Sequence, residues 1–509
     1  MEPTAAPRAP EAPRAPGTEG GYAEAHVGFE TLEDEVRIDS LPVEGELPEW
    51  LEGSLLRTGP AQFEVGEQRM RHWFDGFAML HRFGFGDGRV SYANRFLDSQ
   101  SKRAADERGE IAYSEFATDP CRSLFKRVFS VFSPGFGDNA NVNLVELGER
   151  FVAMTETPIP VQFDPETLRS AGVAWKVPGE LTTAHPHLDR PSGGMLNYAA
   201  KLGPRNQYRF FLLGPDDTEP EVTASLPTRE PAYMHSFGLT ERWIVLAEFP
   251  LVVNPLKLAL AGRPYIENYR WKPELGTRFT LVDRRSGEAR GPFTTEACFG
   301  FHHVNSYEDD DGRVIADICT FEDVEVIESL YLGRLRDGAP VPKPSLTRFV
   351  IDPDGGEVSS EELIPDAIDL PRINYGRCNE RPYRYVWGAS FEPGGSEGFF
   401  DRIVFVDLEE RTTRAWHEEH CYPGEPVFVA EPDADRHDGD VMGLGEPLRG
   451  EIGAGVGDDV HGAFNPIRPA LTCVADAGRR WPLGIERSLT TQVTGCKDSA
   501  AARRNGSRS

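Results

Sequence analysis

The 509-residue chain has little that would cross-link it or carry it across a membrane. Its seven cysteines include no C-x-x-C pair and no close, even spacing. A disulfide framework or a thiolate zinc site is therefore not expected, and a reducing compartment is favoured. No apolar run reaches the roughly 18 residues that a spanning helix needs. The first 20 residues also lack the apolar centre of a signal peptide.

Positive charge is scarce as well. The formal net charge is -28, and few of the 54 basic residues are lysine. We interpret this as a halophilic-like acidic surface that keeps the protein hydrated at high salt, with plain solubility as the alternative. A nucleic-acid partner would need a basic face, so none is expected. Together these features predict a cytoplasmic protein.

Short apolar, β-branched runs alternate with turn residues along most of the chain, and helical periodicity is rare. Examples are Gly194–Ala199, Trp243–Phe249 and Arg313–Thr320. Many antiparallel hairpins in succession fit an all-β propeller better than a sandwich. We predict that residues 21–470 form this propeller. Residues 1–20 are expected to be a disordered tail, and residues 471–509 an atypical, disordered terminus.

One segment departs from the strand pattern. Residues 121–136 place apolar side chains such as Phe125 and Phe129 beside the basic Lys126 and Arg127. On a helix, this arrangement gives an apolar side with a basic fringe, which suits the interface of a bilayer. A helix packed into the core is the alternative. We hypothesise that this segment makes a peripheral membrane contact.

Three histidines in distant parts of the chain stand ahead of strand-like runs: His185, His235 and His302. A single histidine in such a place is more often a core or surface residue than a ligand. Strands that each present an imidazole at the same end would direct the three rings toward one metal ion. Neutral imidazole suits iron, copper and zinc alike, so the histidines alone do not identify the metal.

Short motifs accompany these histidines along the chain: Ser54-Leu-Leu-Arg-Thr-Gly-Pro60, Trp73-Phe-Asp-Gly76, Ala184-His-Pro-His187, Met234-His-Ser-Phe-Gly-Leu239, Phe301-His-His-Val-Asn305 and Glu425-Pro-Val-Phe428. In content and order they resemble the motifs of the carotenoid cleavage oxygenases, and the resemblance spans about residues 30 to 430. A further element, Asp119-Pro-Cys-Arg122, resembles the animal-type branch of that family, which includes the β-carotene oxygenases and the retinal pigment epithelium isomerohydrolase.

This resemblance implies a seven-bladed β-propeller with non-haem Fe(2+) on its axis, held by four histidines with open positions for O₂. His185, His235 and His302 match three of the ligands. His461, within Val460-His-Gly-Ala-Phe464, is the choice for the fourth. A chance His-Gly pair is the alternative, because fewer residues separate it from Glu425 than the family uses. The second histidines of the doublets, His187 and His303, are expected to be packing or rim residues.

The resemblance also assigns residues outside the ligand set. Glu156, Asp369 and Glu425 match carboxylates that accept the other N–H of the ligand histidines. The family usually has glutamate where Asp369 stands, so the shorter side chain is expected to need a water to reach its histidine. Tyr233 matches an aromatic residue near the cleavage site, where it would orient the polyene or stabilise cationic character. Core packing is the alternative for Tyr233, and Phe301 is a weaker tunnel candidate.

The activity implied is an Fe(2+)-dependent dioxygenase that uses O₂ to cleave a double bond of a carotenoid or apocarotenoid, giving aldehydes. β-Carotene to retinal is the first candidate reaction. Two enzyme alternatives remain open: a retinoid isomerohydrolase, which incorporates no O₂, and a lignostilbene-type oxygenase. A third alternative is a propeller that has lost catalysis and only binds carotenoid.

Overall fold

A computed structural model describes residues 28–41, 43, 47, 49–119, 137–255, 263–392, 399–417 and 422–429, and the backbone of short strands between 442 and 494. The proposed membrane segment 121–136, the tail 1–20 and His461 lie outside the described residues. The predictions made for them, and the domain boundaries, therefore stay predictions. Among the described helices, none combines the length and apolar character needed to span a bilayer.

The described strands form consecutive antiparallel sheets of four or five strands, each a blade of a β-propeller. Blade one contains β1 (Arg37–Ile38), β2 (Gly53–Gln62), β5 (Phe77–Gly86) and β6 (Arg89–Phe96), with the hairpin β3 (Glu64–Val65) and β4 (Gln68–Arg69) inserted. Blade two contains β7 (Asn143–Leu147), β8 (Arg150–Met154), β9 (Val161–Phe163) and β10 (Ser170–Val173). Blade three contains β11 (Leu181–Thr182), β12 (His187–Asp189), β13 (Gly194–Lys201), β14 (Gln207–Leu213) and β15 (Glu221–Pro227).

Blades four to six repeat the meander. Blade four contains β16 (Gly238–Leu239), β17 (Trp243–Glu248), β20 (Thr277–Asp283) and β21 (Ala289–Thr295), and the hairpin β18 (Leu251–Val253) and β19 (Tyr269–Trp271) is inserted in it. Blade five contains β22 (Phe299–Glu308), β23 (Val314–Phe321), β24 (Ser345–Ile351) and β25 (Val358–Glu362). Blade six contains β26 (Asp369–Arg372), β27 (Tyr385–Ser390), β28 (Arg402–Asp407) and β29 (Thr412–His417).

Helices are few and short in the described part of the chain. The α-helical segments are Gln100–Arg108, Glu325–Ser329, Leu332–Arg336 and Tyr375–Cys378. Single 3₁₀ turns span Trp73–Asp75, Ile266–Asn268 and Pro273–Leu275. The prediction of an all-β protein is therefore confirmed.

The expected count of seven blades is wrong for the described residues, which form six. The strands after β29 are short and build smaller sheets. The first of these sheets has three strands: β30 (Val427–Val429), β31 (Met442–Gly445) and β34 (Thr472–Val474). A hairpin joins β32 (Leu448–Gly450) to β33 (Ile467–Pro469), and β35 (Val493–Thr494) pairs with β2. The terminal sequence lacks the long apolar runs from which the other blades are built.

The outermost strand of each blade is the most exposed one, which explains the sequence pattern. The second strand of a blade is packed on both faces, so β17 and β23 are buried at every residue. These strands are mostly apolar, as expected for a doubly covered strand, with Glu248 at the end of β17 and Asp317 and Thr320 within β23 as the buried polar exceptions. The last strands, such as β25 and β29, are largely exposed and carry charged or hydroxyl side chains.

The first strands of the blades lie beside the propeller axis. Strand β2 contacts β7 of the next blade, and β22 contacts β16 and β26 of the two adjacent blades. These strands mix polar and apolar residues, as β22 does with its two histidines, Asn305 and Ser306. Side chains on them, and on the loops that precede them, are therefore brought together from distant parts of the sequence.

Candidate metal centre

The three predicted histidines come from the axial side of three consecutive blades. His185 lies between β11 and β12, and His235 lies three residues before β16. His302 was expected ahead of a strand but lies inside β22. The pairing of β22 with β23 shifts register between Gly300 and His303. This irregularity, together with the polar residues that follow, hides the strand from a search for apolar alternation.

The three rings meet. One ligand atom from each of His185, His235 and His302 lies within 4.8 Å of the others. The Nε2 atoms of His185 and His235 are 3.0 Å apart. The ring centroids of His302 lie 5.4 Å from those of His185 and 5.0 Å from those of His235. This is a geometry in which three imidazoles can share one metal ion.

A carboxylate holds the Nδ1 side of two of the rings. Glu156 accepts a hydrogen bond from Nδ1 of His235 at 2.8 Å, and Asp369 accepts one from Nδ1 of His302 at 2.6 Å. Asp369 therefore reaches its histidine directly, and the expected water is not needed. The reason is its position as the first residue of β26, next to β22. In both rings, Nε2 is left as the donor for a metal.

Burial and the carboxylates set the basicity of the cluster. Burial lowers the pKa of His185 well below its usual range, and the neighbouring His235 and His302 lower it further. Burial also lowers the pKa of His235, against the opposing hydrogen bond to Glu156. Burial alone would lower the pKa of His302, but the charge of Asp369 and its hydrogen bond raise it overall. Because metal ligands must be deprotonated, the neutral His185 and His235 fit a metal as they stand.

The contacts that the structure gives for Glu425 are with two arginines and not with a histidine. Its carboxylate forms a 2.6 Å ion pair with Arg372, and its backbone carbonyl accepts a hydrogen bond from Arg57 at 2.8 Å. The predicted role of Glu425, holding a fourth histidine, stays a prediction because His461 lies outside the described residues. Sequence reasoning missed Arg372, and no local signal links it to a residue 53 positions away.

The second histidines of the doublets do not join the cluster. Both ring nitrogens of His187 are used, Nδ1 with the Tyr375 hydroxyl and Nε2 with the Phe237 carbonyl, at 2.8 Å each. Nδ1 of His303 lies 2.8 Å from the Ser236 hydroxyl. Burial lowers the pKa of His187 to about 4 and that of His303 to about 3. Both are neutral packing residues, in line with the sequence prediction.

Aromatic side chains border the histidines on one side. The Phe301 ring packs edge-on against His235 at 5.3 Å and lies 6.3 Å from Tyr233. Phe74 lies 6.0 Å from Phe301, and Phe116 lies 5.3 Å from Phe74. Tyr233 is only 1% exposed, and its hydroxyl donates to the same Glu156 oxygen as His235, at 2.7 Å. Burial, then the charge of Glu156, raises the Tyr233 pKa well above its usual value, so the phenol keeps its proton.

Fold and site together define a β-propeller with a three-histidine cluster on its axis. Residues 29–445 match the family model described as "Retinal pigment epithelial membrane protein". The chain belongs to this family, the carotenoid oxygenases.

Two relatives and one solved structure illustrate the similarity. The beta,beta-carotene 15,15'-dioxygenase of Gallus gallus is 32% identical over 462 residues, covering 79% of this chain and 86% of the relative. The carotenoid isomerooxygenase of Galleria mellonella is 33% identical over 432 residues, covering 79% and 83%. A crystal structure of an ACO/RPE65 chimera superposes with a TM-score of 0.75 at 25% identity, covering 84% of this chain and 90% of the other.

Proposed function

We propose that this protein is an Fe(2+)-dependent carotenoid oxygenase that uses O₂ to cleave a double bond of a hydrophobic polyene into two aldehydes. β-Carotene, giving retinal, is the first substrate to test. The observation that supports this proposal most strongly is that His185, His235 and His302 lie with ligand atoms within 4.8 Å of one another. They lie beside an aromatic wall formed by Phe74, Phe116 and Phe301. Family membership and the names of the relatives support the reaction class.

The residues present fit iron. Neutral imidazole nitrogen is a suitable ligand for Fe(2+), and the carboxylates of Glu156 and Asp369 raise the donor strength of two rings. His461 remains the candidate for a fourth ligand. When bound, iron would supply the activation of O₂, which no side chain of the protein can provide.

The protein's own residues orient the ligand histidines and shield the substrate from water. Glu156 fixes the His235 ring and the Tyr233 phenol through one oxygen, so ligand and aromatic wall are held in one arrangement. Phe301, Phe74 and Phe116 offer apolar ring faces and edges against which a polyene can pack. We assign Tyr233 to a supporting position behind this wall, where its protonated hydroxyl is committed to Glu156 and its buried ring packs edge-on against Phe301. Exclusion of water follows from the apolar lining.

The decisive experiment follows oxygen atoms. The full-length protein, purified without oxygen and loaded with Fe(2+), is given β-carotene and ¹⁸O₂, and the aldehydes are analysed by mass spectrometry. We expect ¹⁸O in the aldehydes, about one iron per chain in the wild type, and loss of both in His235→Ala. His187→Ala serves as the matched control, because His187 is also buried beside the site but uses both nitrogens elsewhere.

Other outcomes identify the alternatives. In a parallel reaction, a retinoid ester replaces β-carotene. Its conversion with no label from O₂ in the product would indicate an isomerohydrolase and contradict the oxygenase. Tight carotenoid binding without iron or turnover would indicate a binding protein.

A further inference from the structure

A buried threonine connects the first two histidines of the cluster. Thr183 is fully buried, two residues before His185. Its hydroxyl accepts a hydrogen bond from the His185 backbone N–H at 3.0 Å and donates one to the His235 backbone carbonyl. A hydroxyl has one proton and two lone pairs, so it can serve both roles at once. Thr183 thus joins the backbone of blade three to the loop of blade four.

A serine makes the same kind of connection between the second and third histidines. Ser236, next to His235, donates its hydroxyl proton to the Phe301 carbonyl at 2.5 Å. The same oxygen accepts the His303 backbone N–H at 3.1 Å. These two partners flank His302 on either side. Because the single hydroxyl proton is used on Phe301, the His303 Nδ1 at 2.8 Å must act as a donor.

The two hydroxyls therefore form a continuous link from His185 through His235 to His302. The link runs through backbone atoms, and it differs from the carboxylates of Glu156 and Asp369, which act on the ring nitrogens. Asparagines hold the start of this link: Asn197 donates to the Thr183 carbonyl at 3.0 Å and Asn143 to the Ala184 carbonyl at 2.8 Å. The hydrogen bonds to the ring nitrogens and those to the backbone beside the histidines thus come from separate groups.

We propose that Thr183 and Ser236 are positioning residues that set the spacing of the three histidines across two blade boundaries. This inference rests on the proposed metal centre. Each blade is a separate hairpin stack, so without such a link a small shift between blades would change the distance between ligand atoms. Removing one hydroxyl keeps all three histidine residues but lets the distances between their ligand atoms vary.

The test uses the full-length apoprotein and Co²⁺, whose visible absorption reports coordination geometry. We expect Thr183→Val and Ser236→Ala each to weaken Co²⁺ binding about 10-fold, as for other outer residues of metal sites, and to change the absorption spectrum. Thr183→Ser and Ser236→Thr keep a hydroxyl at each position, so their Co²⁺ affinity and absorption spectrum should match those of the wild type.

Thr182→Val is the matched control, because the neighbouring Thr182 hydroxyl is also buried but donates to the Tyr198 carbonyl within the same blade, at 2.6 Å. It should bind Co²⁺ like the wild type. If one hydroxyl variant does not fold, the other, made alone, tests the same link.

The outcomes separate this inference from the proposed function. Wild-type Co²⁺ affinity and spectra in both hydroxyl variants would overturn the inference, even if labelled aldehydes form. Weakened, rescuable Co²⁺ binding in a protein that yields no labelled aldehyde would support the positioning role and overturn the oxygenase. A wild type that binds neither Co²⁺ nor Fe²⁺ would overturn both.

Discussion

Glu156→Gln changes one functional group in a buried contact that serves two side chains. The carboxylate oxygen accepts from His235 Nδ1 at 2.8 Å and from the Tyr233 hydroxyl at 2.7 Å, and the Glu156 side chain is 13% exposed. Glutamine has almost the same shape and keeps one acceptor oxygen. It removes the negative charge that strengthens both hydrogen bonds and makes the His235 ring a better donor to a metal.

The size of the effect follows from the kind of bond lost. Hydrogen bonds to charged groups contribute about 1.5–3 kcal/mol, against about 0.5–1.5 kcal/mol for neutral pairs. Each of the two bonds thus loses roughly 1–1.5 kcal/mol, but only the bond to His235 acts directly on the metal ligand. Since about 1.4 kcal/mol is a factor of ten, we expect metal affinity to fall about 10-fold. This agrees with the roughly 10–100-fold losses seen when such partners are removed.

Competition titrations with Co²⁺ on the apoprotein measure this affinity. Glu248→Gln is the control, because Glu248 is also a buried carboxylate and accepts from a tyrosine, Tyr208, at 2.8 Å, away from the histidines. It should lose stability without losing metal affinity. An unchanged affinity in Glu156→Gln, or an equal loss in Glu248→Gln, would refute the reasoning.

Three further predictions concern other parts of the molecule. Asp369→Glu lengthens a side chain already 2.6 Å from His302, so Co²⁺ titration should show weaker binding, and tighter binding would contradict the direct contact. Asp317 is fully buried and accepts two 2.8 Å hydrogen bonds from Arg348. Asp317→Ala removes this ion pair from Arg348, so urea unfolding should show that the free energy of unfolding falls by about 3–5 kcal/mol. Asp317→Leu combined with Arg348→Met should cost less than Asp317→Ala. Finally, with a net charge of -28, the melting temperature should rise with KCl as self-repulsion is screened, and a flat response would contradict the halophilic interpretation.

Much of the site could be predicted because it is encoded locally. His185 and His235 are embedded in motifs whose spacing to the next strand is short, and strands such as β13, β17 and β23 are apolar runs that form hairpins with their neighbours. His302 was found by its motif although its strand was not, because β22 mixes polar and apolar residues on the axial edge. Local pattern therefore predicted the histidines of the cluster better than it predicted the strand that carries one of them.

Partners that lie far apart in the chain could not be predicted in the same way. The direct reach of Asp369 to His302 depends on how β26 lies beside β22, and the ion pair of Glu425 with Arg372 depends on the loop before β30. Nothing within a few residues of Thr183 or Ser236 shows that their hydroxyls bridge two blades. The number of blades could not be predicted either, since the described strands after β29 are short and form smaller sheets.

The sequence by itself determined that the chain would fold as successive β-hairpins, and it singled out the three histidines that the structure brings together, because strand formation and motif identity are properties of neighbouring residues. Only the tertiary structure decided which atoms hold those histidines in place. The physical reason is that a hydrogen bond depends on tenths of an ångström between groups on different blades, and closing the ring of sheets sets those distances.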